Sequence, residues 1–352
     1  MKQSQEQTCL FILSGEHETL PQAELCAILE AEECRYKLKG HYKRVLLLEV
    51  DPKGAKIATE RSGLVNHASV VFFESPAEEA QILDMVRNCD FTRWIKPKDR
   101  FGVKITRIQR EPMAFDADEL ASKVGAQIWQ MLSGKVTVDL TKPDVLFLGV
   151  INGNQFFFGL YLASRDRASV FQRRSPLRPF FVPSAIHPKF ARVMVNLSRV
   201  KRGDLLLDPF CGTGGLLLEA ADIGCVPLGF DIDVSILMGC QLNLKHYEVP
   251  FSGALADARS VPLRSEGLNA IATDPPYGRS SSTKGSEVVE LIHTSLDVLA
   301  NRLKRGGYLC LALPDKYFEK EIIPTDRFVI VETHTMRIHR SLNRLIVVLQ
   351  RQ

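Results

Sequence analysis

The chain has 352 residues, 45% hydrophobic and 24% charged, with a net charge of +4, the profile of a soluble globular protein with room for two or three domains. No apolar run approaches the ~18 residues that a spanning helix needs, and Met1 to Gln7 lacks a signal peptide's apolar centre, so the expected compartment is the cytoplasm, with no membrane partner. The eight cysteines form no Cys-x-x-Cys pair and have no His-rich partner segment, so neither a metal site nor a disulfide framework is expected.

Residues 1 to 33 carry seven acids against Lys2. Up to residue 75 the pattern predicts strand Cys9 to Leu13, helix Pro21 to Glu32, strands Cys34 to Lys39 and Arg44 to Val50, helix Pro52 to Ser62 and strand Ser69 to Glu74. That order, βαββαβ, is the ferredoxin-like pattern. Residues 76 to 165 read as a second small α/β domain: helix Ala77 to Asn88, strand Gly102 to Ile108, helix Asp116 to Met131 with an aspartate N-cap, and apolar runs Val136 to Leu140, Val145 to Val150 and Gln155 to Leu162. Within it, residues 87 to 110 hold eight bases, including Lys96, Lys98, Arg100, Arg107 and Arg110, interleaved with Phe91, Trp94 and Phe101. Such a stretch suits a polyanion, while a solvated face of a helix and strand is the plain alternative. Residues 166 to 181 read as a linker whose basic, proline-punctuated part, Arg173-Arg174-Ser175-Pro176-Leu177-Arg178-Pro179, is expected to run as a stiff strap.

From residue 182 to 352 short apolar strands alternate with helices, predicting a parallel sheet covered on both faces. The strands are Asp204 to Asp208, Val226 to Asp231, Gly253 to Ala256, Ala270 to Thr273 and Tyr308 to Leu313. The helices are Gly214 to Ile223, Val234 to His246 and Glu287 to Leu303. Two closing β-rich runs, Phe328 to Thr335 and Asn343 to Leu349, predict an antiparallel hairpin at the sheet edge, a feature of class I methyltransferases rather than dehydrogenases.

The chemistry gathers at the strand ends. Asp208-Pro-Phe-Cys-Gly-Thr-Gly-Gly215 is a strand running into a glycine turn that opens a helix; Gly212 and Gly214 let the backbone approach a ligand. Asp208 and the following proline depart from a dinucleotide fingerprint and suit the cationic end of S-adenosylmethionine. Asp231 lies where a ribose would present its hydroxyls, although it or Asp233 could simply cap the next helix. Asp257 is placed for an adenine amino group. Asp274-Pro275-Pro276-Tyr277 then offers a carboxylate, a rigid carbonyl and a ring, which together orient the amino group of a flat base toward an electrophile. Cys211 has no neighbour that would lower its pKa, and amine methylation needs no enzyme nucleophile.

With these residues, 180 to 350 resembles the THUMP-containing RNA methyltransferases. The resemblance rests on Arg178 to Pro188, Ala191 to Leu197, Asp208 to Gly215, Asp274 to Gly278 and the tail Arg337 to Arg344. Upstream, Val138 to Val145 looks like a THUMP strand signature, which makes residues 76 to 165 a THUMP domain. The resemblance implies a class I (Rossmann-like) α/β methyltransferase domain preceded by ferredoxin-like and THUMP domains. It also implies S-adenosylmethionine as cofactor and methyl transfer to guanine N2 of a tRNA, at position 10 or, in a related branch, position 6. Carried over, Asp274, Pro275 and Tyr277 serve the amine. Asp208, Gly212, Gly214, Asp231 and Asp257, with Pro183 and Ser184, serve the cofactor. Lys96, Lys98, Arg100, Arg107 and Arg110, with Arg173, Arg174 and Arg178 of the strap, are the expected tRNA contacts. The target base is expected to flip out of its stack. A monomer is expected. An adenine-N6 nucleic-acid methylase, a catalytically silent RNA-binding subunit and a Rossmann dehydrogenase are the rival readings.

Overall fold

The computed structural model describes residues 6–109, 115–183, 185–276, 285–318, 322–339 and 342–352. In chain order the elements are β1 (Gln7–Leu13), α1 (Leu20–Ala31), β2 (Tyr36–Tyr42), β3 (Val45–Val50), α2 (Pro52–Arg61), β4 (Val65–Pro76), α3 (Glu79–Arg87), β5 (Arg100–Arg107), α4 (Ala117–Met131), β6 (Thr137–Val138), β7 (Val145–Asn152), β8 (Gln155–Ser164) and α5 (Arg167–Gln172). There follow α6 (Pro188–Leu197), β9 (Leu205–Asp208), α7 (Gly215–Asp222), β10 (Val226–Asp231), α8 (Val234–His246), β11 (Gly253–Leu255), β12 (Leu268–Thr273), α9 (Gly285–Arg302), β13 (Leu303–Pro314), α10 (Asp315–Phe318), β14 (Phe328–His339) and β15 (Leu342–Arg351). They form two compact units: residues 1–15, 34–60 and 65–165, and residues 16–33, 61–64 and 166–352.

In the first unit the described strands make one sheet, ordered β2-β3-β1-β4-β8-β7-β5-β6. The β2-β3-β1-β4 half is antiparallel throughout, and β4 pairs with β8 to continue into the half where β5 runs parallel to β7 and β6. Helix α4 starts where expected because Asp116 accepts the N–H groups of Asp118 and Glu119 at 2.8 and 3.0 Å. Its Leu120, Val124 and Ile128, one stripe at helical spacing, lie buried against Phe101, Phe147 and Phe158. The aromatics that interleave the basic stretch belong to this core: Phe91 and Phe101 are buried, and Trp94 stacks on Phe72 with centroids 5.4 Å apart. The strand expected over Val136 to Leu140 shrinks to Thr137–Val138. Asp139 ends it by accepting the N–H groups of Thr141 and Lys142, which turns the chain.

The second unit holds a sheet ordered β11-β10-β9-β12-β13-β15-β14 among the described residues. Strands β9 to β13 run parallel, and β15 inserts antiparallel between β13 and β14. This is the expected class I methyltransferase arrangement with its hairpin. Strand residues alternate between two cores. Leu206, Ala270, Ala272 and Cys310 face α6 and α7, whereas Leu207, Ile271, Leu309 and Leu311 face Val288, Ile292 and Leu296 of α9.

Helix α1 belongs to this second unit and explains most of the acids near the start of the chain. Fully buried Glu24 accepts from Ser62 Oγ, the N–H groups of Gly63 and Leu64, and Asn196 Nδ2, at 2.5 to 2.9 Å. Glu30, Glu32 and Glu33 pair with Arg199, Arg61 and Lys201, and Glu16 pairs with Lys189.

The strap departs from expectation. Residues Arg167–Gln172, before it, form α5, capped by Asp166; within it Ser175–Leu177 make a single 3-10 turn, while Arg174 and Arg178, the residue before Pro179, are extended. Arg173 anchors it: Nε and Nη2 donate to fully buried Glu219 at 2.7 and 3.1 Å, and Nη1 donates to Asp222 at 3.0 Å. Arg192 binds the same two acids.

Candidate active site

The parallel strands β9, β10 and β12 end on one edge, and the strand order reverses between β9 and β12, the place where open α/β sheets bind ligands. Asp208 ends β9 at 2% exposure and accepts from Thr273 Oγ at 2.8 Å and the Phe210 N–H at 3.1 Å. Burial pushes its carboxyl up to about 7, and the nearby charges of Asp274 and Asp231 push the same way. These two hydrogen bonds oppose the rise without cancelling it.

The turn after β9 depends on two glycines. Gly212 has φ +50° and Gly214 φ +83°, a region that side chains disfavour. A Cβ on Gly214 would also lie 2.6 Å from Leu244 Cδ1 and 2.8 Å from Cys240 Sγ, whereas one on Gly212 would meet, among the described residues, only the Phe210 carbonyl at 3.9 Å. Among the described residues the Gly212 backbone therefore has open space beside it. Asp231, ending β10, accepts the Gly212 N–H on Oδ2 at 3.0 Å and the Asp233 N–H on Oδ1 at 2.9 Å. A carboxylate has about four acceptor positions, so Asp231 has capacity for the two hydroxyls of a ribose. Asp233 is the helix cap, accepting from Ser235 and Ile236 at the start of α8.

Asp257 sits at the expected strand end, but its two oxygens are engaged by Arg259 of the same turn, at 2.6 to 3.1 Å. Cys211 is buried, and its thiol is pushed far above the ordinary range, first by a hydrogen bond with Cys240 and then by burial, so it is no nucleophile.

Asp274 and Pro275 follow β12 directly. Tyr277 and Ser184 lie outside the described residues, as does Arg110 of the basic stretch, while Pro183 is described and exposed in the segment before α6.

Two further residues carry contacts here to which the sequence assigned no role, although Arg344 closes the tail motif. Arg344, near the start of β15, places Nη2 3.3 Å from Asp274 Oδ2, with both side chains largely buried. Asn243, fully buried on α8, accepts the Phe180 N–H at 2.9 Å and donates to the carbonyls of Phe180 and Thr213 at 2.7 and 2.9 Å. It stitches the segment before α6 to the glycine turn. No local sequence signal marks Asn243, since its helix also carries Ser235, Gln241 and Lys245.

The matches to known proteins agree with this geometry. The RMKL-like methyltransferase domain matches residues 176–346, and the THUMP domain matches residues 76–160. The chain is 36% identical to the tRNA (guanine(10)-N2)-dimethyltransferase of Methanothermobacter thermautotrophicus, over 97% of this chain and 99% of that protein. It belongs to this family. A second family member, from Methanocaldococcus jannaschii, is 35% identical over 87% of this chain and 91% of its own. TrmN from Thermus thermophilus shares the fold, with a TM-score of 0.55 and 18% identity, covering 98% of this chain and all of that one. The family is one of methyltransferases that use S-adenosylmethionine.

For this family member the basic residues divide. Lys96, Lys98 and Arg107 are exposed on the first unit. Arg100 is also partly exposed, yet its fork is engaged by Asp144 at 2.8 and 3.0 Å and by Asp139 at 3.4 Å. The expectation that Arg173 and Arg178 touch RNA is corrected by their burial, at 6% and 4% exposure: Arg173 is spent on Glu219 and Asp222, and Arg178 donates Nε to the Arg173 carbonyl at 2.9 Å. Arg174 lies over the Phe171 ring at 3.5 Å. Among the described residues no helix is long and apolar enough to cross a membrane, and no cluster of His, Cys, Asp and Glu could hold a metal ion.

Proposed function

We propose that this protein methylates the N2 amine of guanine 10 in tRNA, twice in succession, as the names of its archaeal relatives state for them. The observation that carries the reading is the placement of Asp274 and Pro275 at the end of β12, beside the glycine turn and Asp208, in a chain related to those enzymes over nearly its whole length.

The residues at this edge fit S-adenosylmethionine. Asp208 suits a cationic group, Asp231 retains acceptor capacity for a ribose, and Ile232 beside it, 69% exposed, offers an apolar face to a purine. Arg178 Nη1 and Nη2 are buried without a partner among the described residues and would lie 3.4 and 3.8 Å from a Cβ on Gly215, at the uncapped amino end of α7. A carboxylate would satisfy them. When bound, the cofactor supplies a methyl group already activated on a sulfonium.

The protein's own part is then positioning. An amine conjugated to guanine is a poor nucleophile because its lone pair is delocalised. In the first transfer, accepting its two N–H bonds at Asp274 and the Pro275 carbonyl turns that lone pair toward the methyl group; in the second, the single remaining N–H is accepted at this same pair of oxygens. Asp274 acts as an orienting acceptor, and once methylation has made the nitrogen acidic its proton passes to Asp274 or to solvent. Tyr277 supplies the ring on which the flipped base stacks. Lys96, Lys98 and Arg107 would hold the RNA through its phosphates, which position it without reading sequence.

The test is to incubate the protein with labelled S-adenosylmethionine and unmodified tRNA, then identify the labelled nucleoside and its position. Dimethylguanosine at position 10 is expected, with Asp274→Ala inactive. Labelled adenine, or guanine labelled at position 6, would replace this reading.

A further inference from the structure

The antiparallel insertion of β15 has a geometric consequence at the site. Because β15 runs against β13, its first residues arrive at the edge where the parallel strands finish, and Arg344 stands opposite Pro314 in the register. Two side chains there reach back to strand-end acids. Asn343 Nδ2 donates to Asp315 Oδ2 at 2.8 Å, just past β13, and Arg344 Nη2 approaches Asp274 Oδ2 at 3.3 Å, just past β12.

Asp274 shares the edge with Asp208, close enough that its charge is one of those that raise the Asp208 carboxyl. To accept one of the amine's N–H bonds beside the Pro275 carbonyl, the Asp274 carboxylate must be correctly aimed. Arg344 supplies the opposite charge, with 13% of its side chain exposed against 16% for Asp274, so solvent screens the pair less than a surface one.

We infer that Arg344 is a positioning residue for the methyl transfer: by its ion pair it fixes the direction from which the Asp274 carboxylate receives the guanine amine. Arg344 does not itself contact the reacting atoms. This rests on the reading of Asp274 as the amine acceptor. A role in gripping tRNA phosphate is the competing assignment, and it makes the opposite kinetic prediction.

The experiment is a double-mutant cycle between Arg344 and Asp274, with kcat, KM for tRNA and the Kd of S-adenosylhomocysteine measured for each variant. Arg344→Ala should lower kcat roughly ten- to a hundred-fold, the size expected for losing a charge-assisted contact. It should leave KM for tRNA and cofactor-product affinity within about twofold. Arg344→Lys should recover part of kcat, because it restores the charge without the planar fork. In an Asp274→Asn background, removing Arg344 should cost little more, since its partner charge is already gone.

An unchanged kcat in Arg344→Ala, a raised tRNA KM with normal kcat, or full additivity with Asp274→Asn each overturns the inference. If Asp274→Asn itself keeps the wild-type rate, the acceptor reading falls and the inference with it. If Asp274→Asn is slow and Arg344→Ala is not, the inference alone fails. Should Arg344→Ala not fold, Arg344→Lys and Arg344→Gln carry the same comparison, with Lys the faster of the two.

Discussion

Cofactor binding by this enzyme should tighten as the pH rises through neutrality, and Asp208 is the reason. Burial pushes its carboxyl from 3.8 up to about 7, so ionising it in place costs on the order of 4 kcal/mol more than in water. An ammonium group brought beside it favours the ionised form. Binding of S-adenosylhomocysteine is therefore coupled to loss of a proton, and affinity should fall about tenfold for each pH unit below the free-protein value. Above that value the dependence should level off.

Stability of the ligand-free protein moves the other way. The folded state holds this proton more tightly than the unfolded chain, so the Asp208 contribution is fully present below 3.8 and is lost as the pH rises through about 7. Titration calorimetry at about pH 6 and about pH 8, in buffers of different ionisation enthalpy, measures both affinity and proton release. Asp208→Asn should bind weakly with a flat pH dependence. Equal wild-type affinity at both pH values with no proton exchanged, or the same pH slope in Asp208→Asn, would refute the reasoning.

Three further outcomes are expected. Arg173→Met removes a main partner of fully buried Glu219 and should cost about 3–5 kcal/mol in urea unfolding, whereas a role confined to RNA contact would leave stability unchanged. Lys96→Glu with Lys98→Glu, both on exposed side chains, should weaken tRNA binding at least tenfold and lower the magnitude of the salt slope by about two, with S-adenosylhomocysteine affinity preserved. Asn243→Ala strands the Phe180 N–H and two carbonyls, so the melting temperature should drop and S-adenosylhomocysteine should bind more weakly as the glycine turn loosens. Unchanged cofactor-product affinity would limit Asn243 to stability.

The carboxylates of the site were legible because each closes a short apolar strand within a window of a few residues, and a parallel sheet brings all such ends to one edge. The glycine turn was legible for the same local reason. Asp257 was located correctly, but its pairing with Arg259 two residues on was not read, since sequence alone does not say which way an arginine folds back. Arg173 and Arg178 look like RNA contacts in sequence because a basic run reads the same whether it meets a phosphate or, as Arg173 does, a buried glutamate 46 residues away, or, as Arg178 does, is buried against the Arg173 carbonyl. Arg344 was part of a recognised motif, yet its partnership with Asp274 depends on strand order in a sheet. That order has no local signature.

Strand order also bears on how the enzyme is made. Among the described residues β14 pairs only with β15, and β15 alone joins it to β13. During synthesis β13 and β14 must therefore wait as unsatisfied edges until residues 342–351 emerge from the ribosome. A nascent chain halted before that point lacks Arg344 and has not closed its sheet. Its exposed edges are candidates for chaperone capture rather than for catalysis.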